Sequence, residues 1–141
     1  MITKFKIFEK NYVTHNNGGK EFSINNDKDR TFIFKQDEFI PDTDKIFTGE
    51  GDSSVLIKLK EKNKYVFVGT KKISFETDEE IKTFKSPIGN SDVPYPYAIS
   101  DNYVYLFLDD IKINKTEFPE NQKWEDVYDY HYNNKLKTEK L

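Results

Sequence analysis

Tyr103-Val104-Tyr105-Leu106-Phe107-Leu108 is the stretch that decides the fold. Successive side chains of a strand point to opposite sides, so Tyr103, Tyr105 and Phe107 share one face and Val104, Leu106 and Leu108 the other. Both faces are apolar, which predicts a central strand covered on both sides. Just upstream, Ala98-Ile99-Ser100 turns at Asp101-Asn102 and pairs back onto it as a hairpin. Downstream, Ile111-Lys112-Ile113 adds an edge strand, and Pro119 opens a final helix at its first turn. In that helix Trp124, Val127, Tyr128 and His131 recur at helical spacing and dock onto the sheet. Residues 133–141 read as a polar tail, which leaves 1–132 as the single compact domain.

Strand signals continue toward the N-terminus. Residues 2–8 alternate, Tyr12-Val13 extends them after a bulge, and Phe22–Ile24 and Thr31–Lys35 follow, so the first third reads as antiparallel β. His15-Asn16-Asn17-Gly18-Gly19 is a turn, since asparagine and glycine tolerate positive φ. The irregular stretch 36–51 carries Phe39, Ile40, Ile46 and Phe47 as anchors of a loop packed over a sheet edge. Residues 54–60, 65–68 and 71–76 form a three-strand meander. Thr77-Asp78-Glu79-Glu80 has the form of a capping box and predicts a short helix carrying Ile81 and Phe84, ended by Pro87. The fold class expected is α+β, a mostly antiparallel sheet (meander or open-barrel-like) with two short helices.

Between that helix and the central hairpin lies Ser86-Pro87-Ile88-Gly89-Asn90-Ser91-Asp92-Val93-Pro94-Tyr95-Pro96-Tyr97. Each proline fixes its own φ and drives its predecessor toward extended geometry, so 93–97 is a rod suited to an edge or surface. A rigid rod bearing tyrosines loses little entropy on binding. A partner-protein surface is therefore expected around Asn90, Asp92, Tyr95 and Tyr97. The bland alternative is that Tyr95 and Tyr97 close the end of a β core, the commoner use of such residues.

Composition narrows the classes. The chain has 141 residues, enough to bury a core without staples, and 16% aromatics supply the apolar area that a disordered chain lacks. Net charge is −3 with both signs interspersed, which argues against duplex nucleic acid as partner. A single-strand platform of Tyr95, Tyr97, Tyr103 and Tyr105 is conceivable by base stacking, against the acidic balance. With no cysteine, disulfides, thiol chemistry and cysteine-ligated zinc are excluded. The N-terminus is too charged for a signal-peptide core and no apolar run reaches membrane length, so the chain is expected to be soluble and not secreted.

Catalytic patterns are weak throughout. His15 and His131 with Asp126 and Asp129 lack recurrent ligand spacing, so no metal is expected. The carboxylate pairs Glu79-Glu80 and Asp109-Asp110 are adjacent, and in regular structure their members point apart. No serine sits in a glycine-flanked elbow. Neither a catalytic set nor a cofactor is expected.

Three runs taken together, His15-Asn-Asn-Gly-Gly19 with Phe22, Lys64-Tyr-Val-Phe-Val-Gly69 with Ile73-Ser-Phe75, and Ser86 through Ala98, resemble a family of uncharacterised proteins of giant DNA viruses of the mimivirus type. Asp126-Val-Tyr-Asp-Tyr130 is similar to the aromatic close of that family. The segment 47–54 is shorter than the family's glycine-rich run. The resemblance covers most of the chain and implies viral origin, with the host cytoplasm or the virion as location and a host or viral protein as partner. It brings no site residues. The function expected is an intracellular protein-interaction module. The alternatives are a virion structural component, or a small carboxylate-dependent enzyme or ligand-binding protein acting on nucleotides or sugars.

Overall fold

The structure is a computed structural model that describes the backbone of strands at 13–16, 21–25, 31–35 and 46–48, and residues 55–59, 63–69, 71–85 and 94–141 with their side chains. In chain order the strands are β1 (Val13–Asn16), β2 (Glu21–Asn25), β3 (Thr31–Lys35), β4 (Ile46–Thr48), β5 (Val55–Lys58), β6 (Lys64–Val68), β7 (Lys72–Glu76), β8 (Thr83–Lys85), β9 (Tyr97–Ile99), β10 (Tyr103–Leu106), β11 (Ile111–Asn114) and β12 (Glu139–Lys140). Among the described residues the one α-helix, α1 (Val127–Asn134), follows a 3-10 turn at Trp124–Asp126. Among the described residues the pairings are all antiparallel and form three open sheets, β1-β2-β3, β4-β5-β6-β7 and β12-β11-β10-β9-β8. The α+β class holds, with open sheets in place of a barrel.

The two-sided strand is where the sequence puts it, except that it ends at Leu106, and Leu108, expected on a covered face, is exposed in the turn that follows. Tyr105 and Phe107 pack with Leu56, Tyr65, Phe67, Ile73 and Phe75 of the β4–β7 sheet. Val104 and Leu106 pack instead with Ile113, Phe118, Val127 and Tyr128. The β4–β7 sheet, the β8–β12 sheet and α1 are thus layered in that order, with β9 and β10 in the middle layer. Register builds the first interface: Phe67 lies between Leu56 and Ile73 across the strands, and Tyr65 lies beside Phe75. From the facing sheet Phe107 stacks on Phe67 at 4.3 Å between ring centroids with the planes 2° apart. Burying one such ring stabilises by roughly 1.5–3 kcal/mol.

The 77–85 segment departs from expectation. No helix forms there: Thr83–Lys85 is β8, paired with β9. Thr77 does accept an amide, but that of Glu79 rather than Glu80. The amides a helix would need are taken elsewhere, Ile81 donating to the Tyr65 hydroxyl and Lys82 to the Ile99 carbonyl. A helix of two turns is marginal in water, so these tertiary partners win.

Other expectations shift by smaller amounts. Ile46 and Phe47, read as loop anchors, lie in β4 and extend the sheet beside β5. The final helix starts at Val127, not near Pro119, which instead accepts a turn bond from Gln122. The C-terminal residues return: β12 pairs with β11, and Leu141 packs into the sheet–sheet core. The strand expected at 2–8 and the turn residues 17–19 lie outside the described residues. Among the described residues, no helix is long and apolar enough to cross a membrane.

Candidate functional site

Tyr128 is the hub of the candidate site. The 3-10 turn at Trp124–Asp126 delivers it into α1 as one of the two fully buried residues of that helix. Its hydroxyl donates to the Pro96 carbonyl at 2.8 Å and accepts the Leu108 amide at 2.9 Å. One phenol thereby ties the proline segment and the β10–β11 turn to the helix. Burial holds its ionisation well above the ordinary phenol range, so the hydroxyl stays a donor.

Around the hub stand three side chains that the core does not cover. Tyr95 is 39% exposed, and Leu108 and Tyr132 are each 47% exposed. The rings of Tyr95 and Tyr132 meet Tyr128 edge to face, at 5.1 Å and 61° and at 6.0 Å and 62°. Tyr132 falls one helical turn after Tyr128, which places both on one side of α1. Leu108 sits beyond the end of β10, in a turn closed by Asp110 with a left-handed φ of 61°. Partial burial, hydrogen bonding to the Asp109 carboxylate, and the charges of Asp109 and Asp129 push the Tyr132 phenol up to about 12.

Beside this patch runs a cleft of about 460 Å³, lined by Asp109, Ile111, His131, Tyr132, Lys135 and Leu136 among others. His131 packs against Tyr132 at 5.7 Å, and its Nδ1 is buried without a hydrogen-bond partner among the described residues. Asp110 Oδ1 is in the same condition.

Of the four residues expected to form a partner surface, Tyr95 and Tyr97 are the two among the described residues, and they part. Tyr95 is on the patch. Tyr97 is only 1% exposed and lies in the helix-side core opposite Leu106. Burial, with the Glu125 and Asp126 charges, pushes its phenol up to about 12. Tyr97 therefore closes the core, as the bland reading of that segment has it. Asn90 and Asp92 lie outside the described residues. The prolines do stay out of the ladder, since β9 begins at Tyr97 with partners on both sides.

The tyrosine platform for single strands does not assemble. Tyr97 and Tyr105 are buried on opposite faces of one sheet. Tyr103 carries the Lys112 ammonium 4.5 Å over its ring.

Sequence reasoning missed Leu108 and Tyr132. The usable signal was Tyr132 four residues after Tyr128, on the same stripe as the docking face.

A second cleft, of about 410 Å³, lies among Lys58, Asp78, Glu79, Glu80 and Asp101. Its central carboxylates already serve the fold. Glu80 pairs with Lys58 at 2.9 Å. Glu79 accepts from the Ser100 hydroxyl at 2.6 Å, from the Asn102 amide at 2.9 Å and from the Asn102 side chain. Desolvation works to raise the Glu79 pKa, but the hydrogen bonds from Ser100 and Asn102 outweigh it and hold the carboxyl below its usual range. Among the described residues no group of three or more His, Asp or Glu side chains could hold a metal ion.

Compared with known proteins, the chain matches no family model, and no curated protein or solved structure is significantly similar to it.

Proposed function

We propose that this chain is a protein-interaction module whose contact surface is the Tyr95–Leu108–Tyr132 patch and the cleft beside it. The observation that carries this reading is convergence. Among the described residues three large hydrophobic side chains are left exposed; two of them, Tyr95 and Tyr132, meet the ring of buried Tyr128, and the third belongs to Leu108, whose backbone amide donates to the Tyr128 hydroxyl. Scattered surface apolar residues need no explanation, but a contiguous group rimmed by polar side chains marks a contact site. Tyrosine also carries much of the energy of such interfaces, because its large ring has few rotors to immobilise. Tyr128 holds the group in place beforehand, which lowers the ordering cost of binding. A virus-encoded module working in the host cell or the virion is the context that the sequence resemblance suggests.

The test is a nuclease-treated pull-down from host cells, comparing wild type with the Tyr95→Ala, Tyr132→Ala double variant after an unchanged thermal midpoint is established. A specific partner captured by the wild type and lost by the variant is the expected result. Equal capture by both proteins refutes the assignment of this surface.

A further inference from the structure

The partner's chemistry follows from what surrounds the patch, on the premise that the patch is the contact surface. We propose that the Tyr95–Leu108–Tyr132 face receives an arginine side chain from a segment of the partner protein, its guanidinium lying against the tyrosine rings and pairing with the Asp109 carboxylate.

Three features converge on a cation. Two exposed phenol rings flank a third, edge to face, so ring surface is available where the chain meets solvent. Tyrosine faces carry the negative part of the ring quadrupole and attract a cation laid on them. The acids that face Tyr132, Asp109 from the β10–β11 turn and Asp129 from its own helix, both hold its ionisation up. Neither Asp109 nor Asp129 forms an ion pair among the described residues, where the salt bridge found is Lys58–Glu80 on another face. Lys135, the left-handed cap of α1, lines the same cleft and forms no ion pair with Asp109 or Asp129 among the described residues.

Other occupants fit less well. An acidic segment would meet two carboxylates. A purely apolar one would cover Leu108 and the rings but strip water from Asp109 without replacing it, a costly burial of charge. A guanidinium does both jobs, because its planar face stacks on aromatic rings while its edge donates a fork of N–H bonds to a carboxylate. Lysine would keep the charge and lose the fork.

The probe is a short labelled peptide of alternating arginine and serine, compared with its citrulline and glutamate counterparts by fluorescence anisotropy against the full chain. Amide NMR shifts report where the peptide sits. The arginine peptide is expected to bind and to move the amides of Leu108 and Tyr132. Citrulline replacement should weaken it about tenfold, as a charge-assisted hydrogen bond becomes a neutral one. Asp109→Asn, on an exposed turn, should weaken it by a similar factor. Tyr132→Leu should cost about threefold, through the lost ring face. Added salt should weaken binding further.

Equal binding of the three peptides overturns the inference, and so does arginine binding that Asp109→Asn leaves unchanged. A partner captured by pull-down that depends on Tyr95 and Tyr132 but ignores Asp109→Asn would sink the arginine assignment while the surface stood. Capture that ignores the tyrosines removes the surface itself. A concentration-dependent dimer broken by Tyr132→Ala would give the face to a second copy of the chain instead.

Discussion

The two faces of the β9–β10 hairpin use tyrosine in opposite ways. Toward the β4–β7 sheet, Tyr65 and Tyr105 are sealed, and each hydroxyl ends on an internal partner: the Ile81 amide at 2.9 Å and the Thr77 hydroxyl at 2.6 Å. Toward α1, Tyr128 is sealed in the same manner, but Tyr95 and Tyr132 beside it reach solvent. A sheet can cover a sheet broadly, as Phe67 and Phe75 of the facing sheet do over Phe107, with Phe84 of β8 closing its side. A helix of eight residues cannot. The helix spans about 12 Å at its usual rise, and Tyr95 beside it and Tyr132 on it stay partly uncovered. One face therefore serves stability, and the margin of the other is available for recognition.

The largest expected effect tests the sealed face. Phe107→Ala should destabilise by about 3–5 kcal/mol in urea unfolding, since it empties the stack on Phe67 and leaves a cavity. Next comes the hub between the two functions. Tyr128→Phe keeps the ring but strands the Leu108 amide and the Pro96 carbonyl, at about 1–3 kcal/mol. Partner affinity should fall with it, because Pro96, next to Tyr95, and Leu108 lose their common anchor. A destabilisation without any change in partner affinity would separate hub from surface and break the comparison at its centre.

Acid titration gives a smaller effect. Glu79 titrates below its ordinary value when folded, so its contribution is present above the unfolded pKa of about 4.5 and lost as pH falls through the lowered folded value. Glu79→Gln should flatten that part of the stability–pH curve, with a loss of roughly 0.5–1 kcal/mol at neutral pH, as fits a solvent-screened carboxylate. An unchanged acid limb would show that the Ser100–Asn102 turn holds without it. Smallest of all is the effect of Tyr132→Ala on folding, within about 0.5 kcal/mol for a half-exposed side chain. That substitution should nonetheless have a large effect on partner binding, and a large loss of stability would return Tyr132 to the core.

Legibility in the sequence followed the range of the forces involved. The meander at residues 55–76 and the hairpin at 97–106 were readable from alternation and turn residues, because pleat and turn geometry are local. At Thr77–Glu80 the local signal was sound, and Thr77 does bond an amide two residues on. It was overridden from far along the chain, by Tyr65 and Ile99. The site divides the same way. Tyr95 and Tyr97 look alike beside their prolines, yet one is 39% exposed and the other 1%. Strand pairing turns Tyr97 inward opposite Leu106, and Tyr95 precedes the ladder. No periodicity within the rod carries that distinction.

What the sequence by itself determined is the strand segments β2, β3, β5, β6, β7, β9, β10 and β11 and the two-sided burial of 104–107, since alternating apolar side chains on a pleated backbone leave neither face fit for water. Only the tertiary structure decided that residues 83–85 join a sheet, that residues 139–140 return to pair with β11, and that Tyr95 and Tyr132 meet the ring of Tyr128 while Pro96 and Leu108 share its hydroxyl. Each of those outcomes rests on a hydrogen bond or ring contact between residues distant in sequence. Which of several possible partners satisfies a buried group is settled only once the layers have packed.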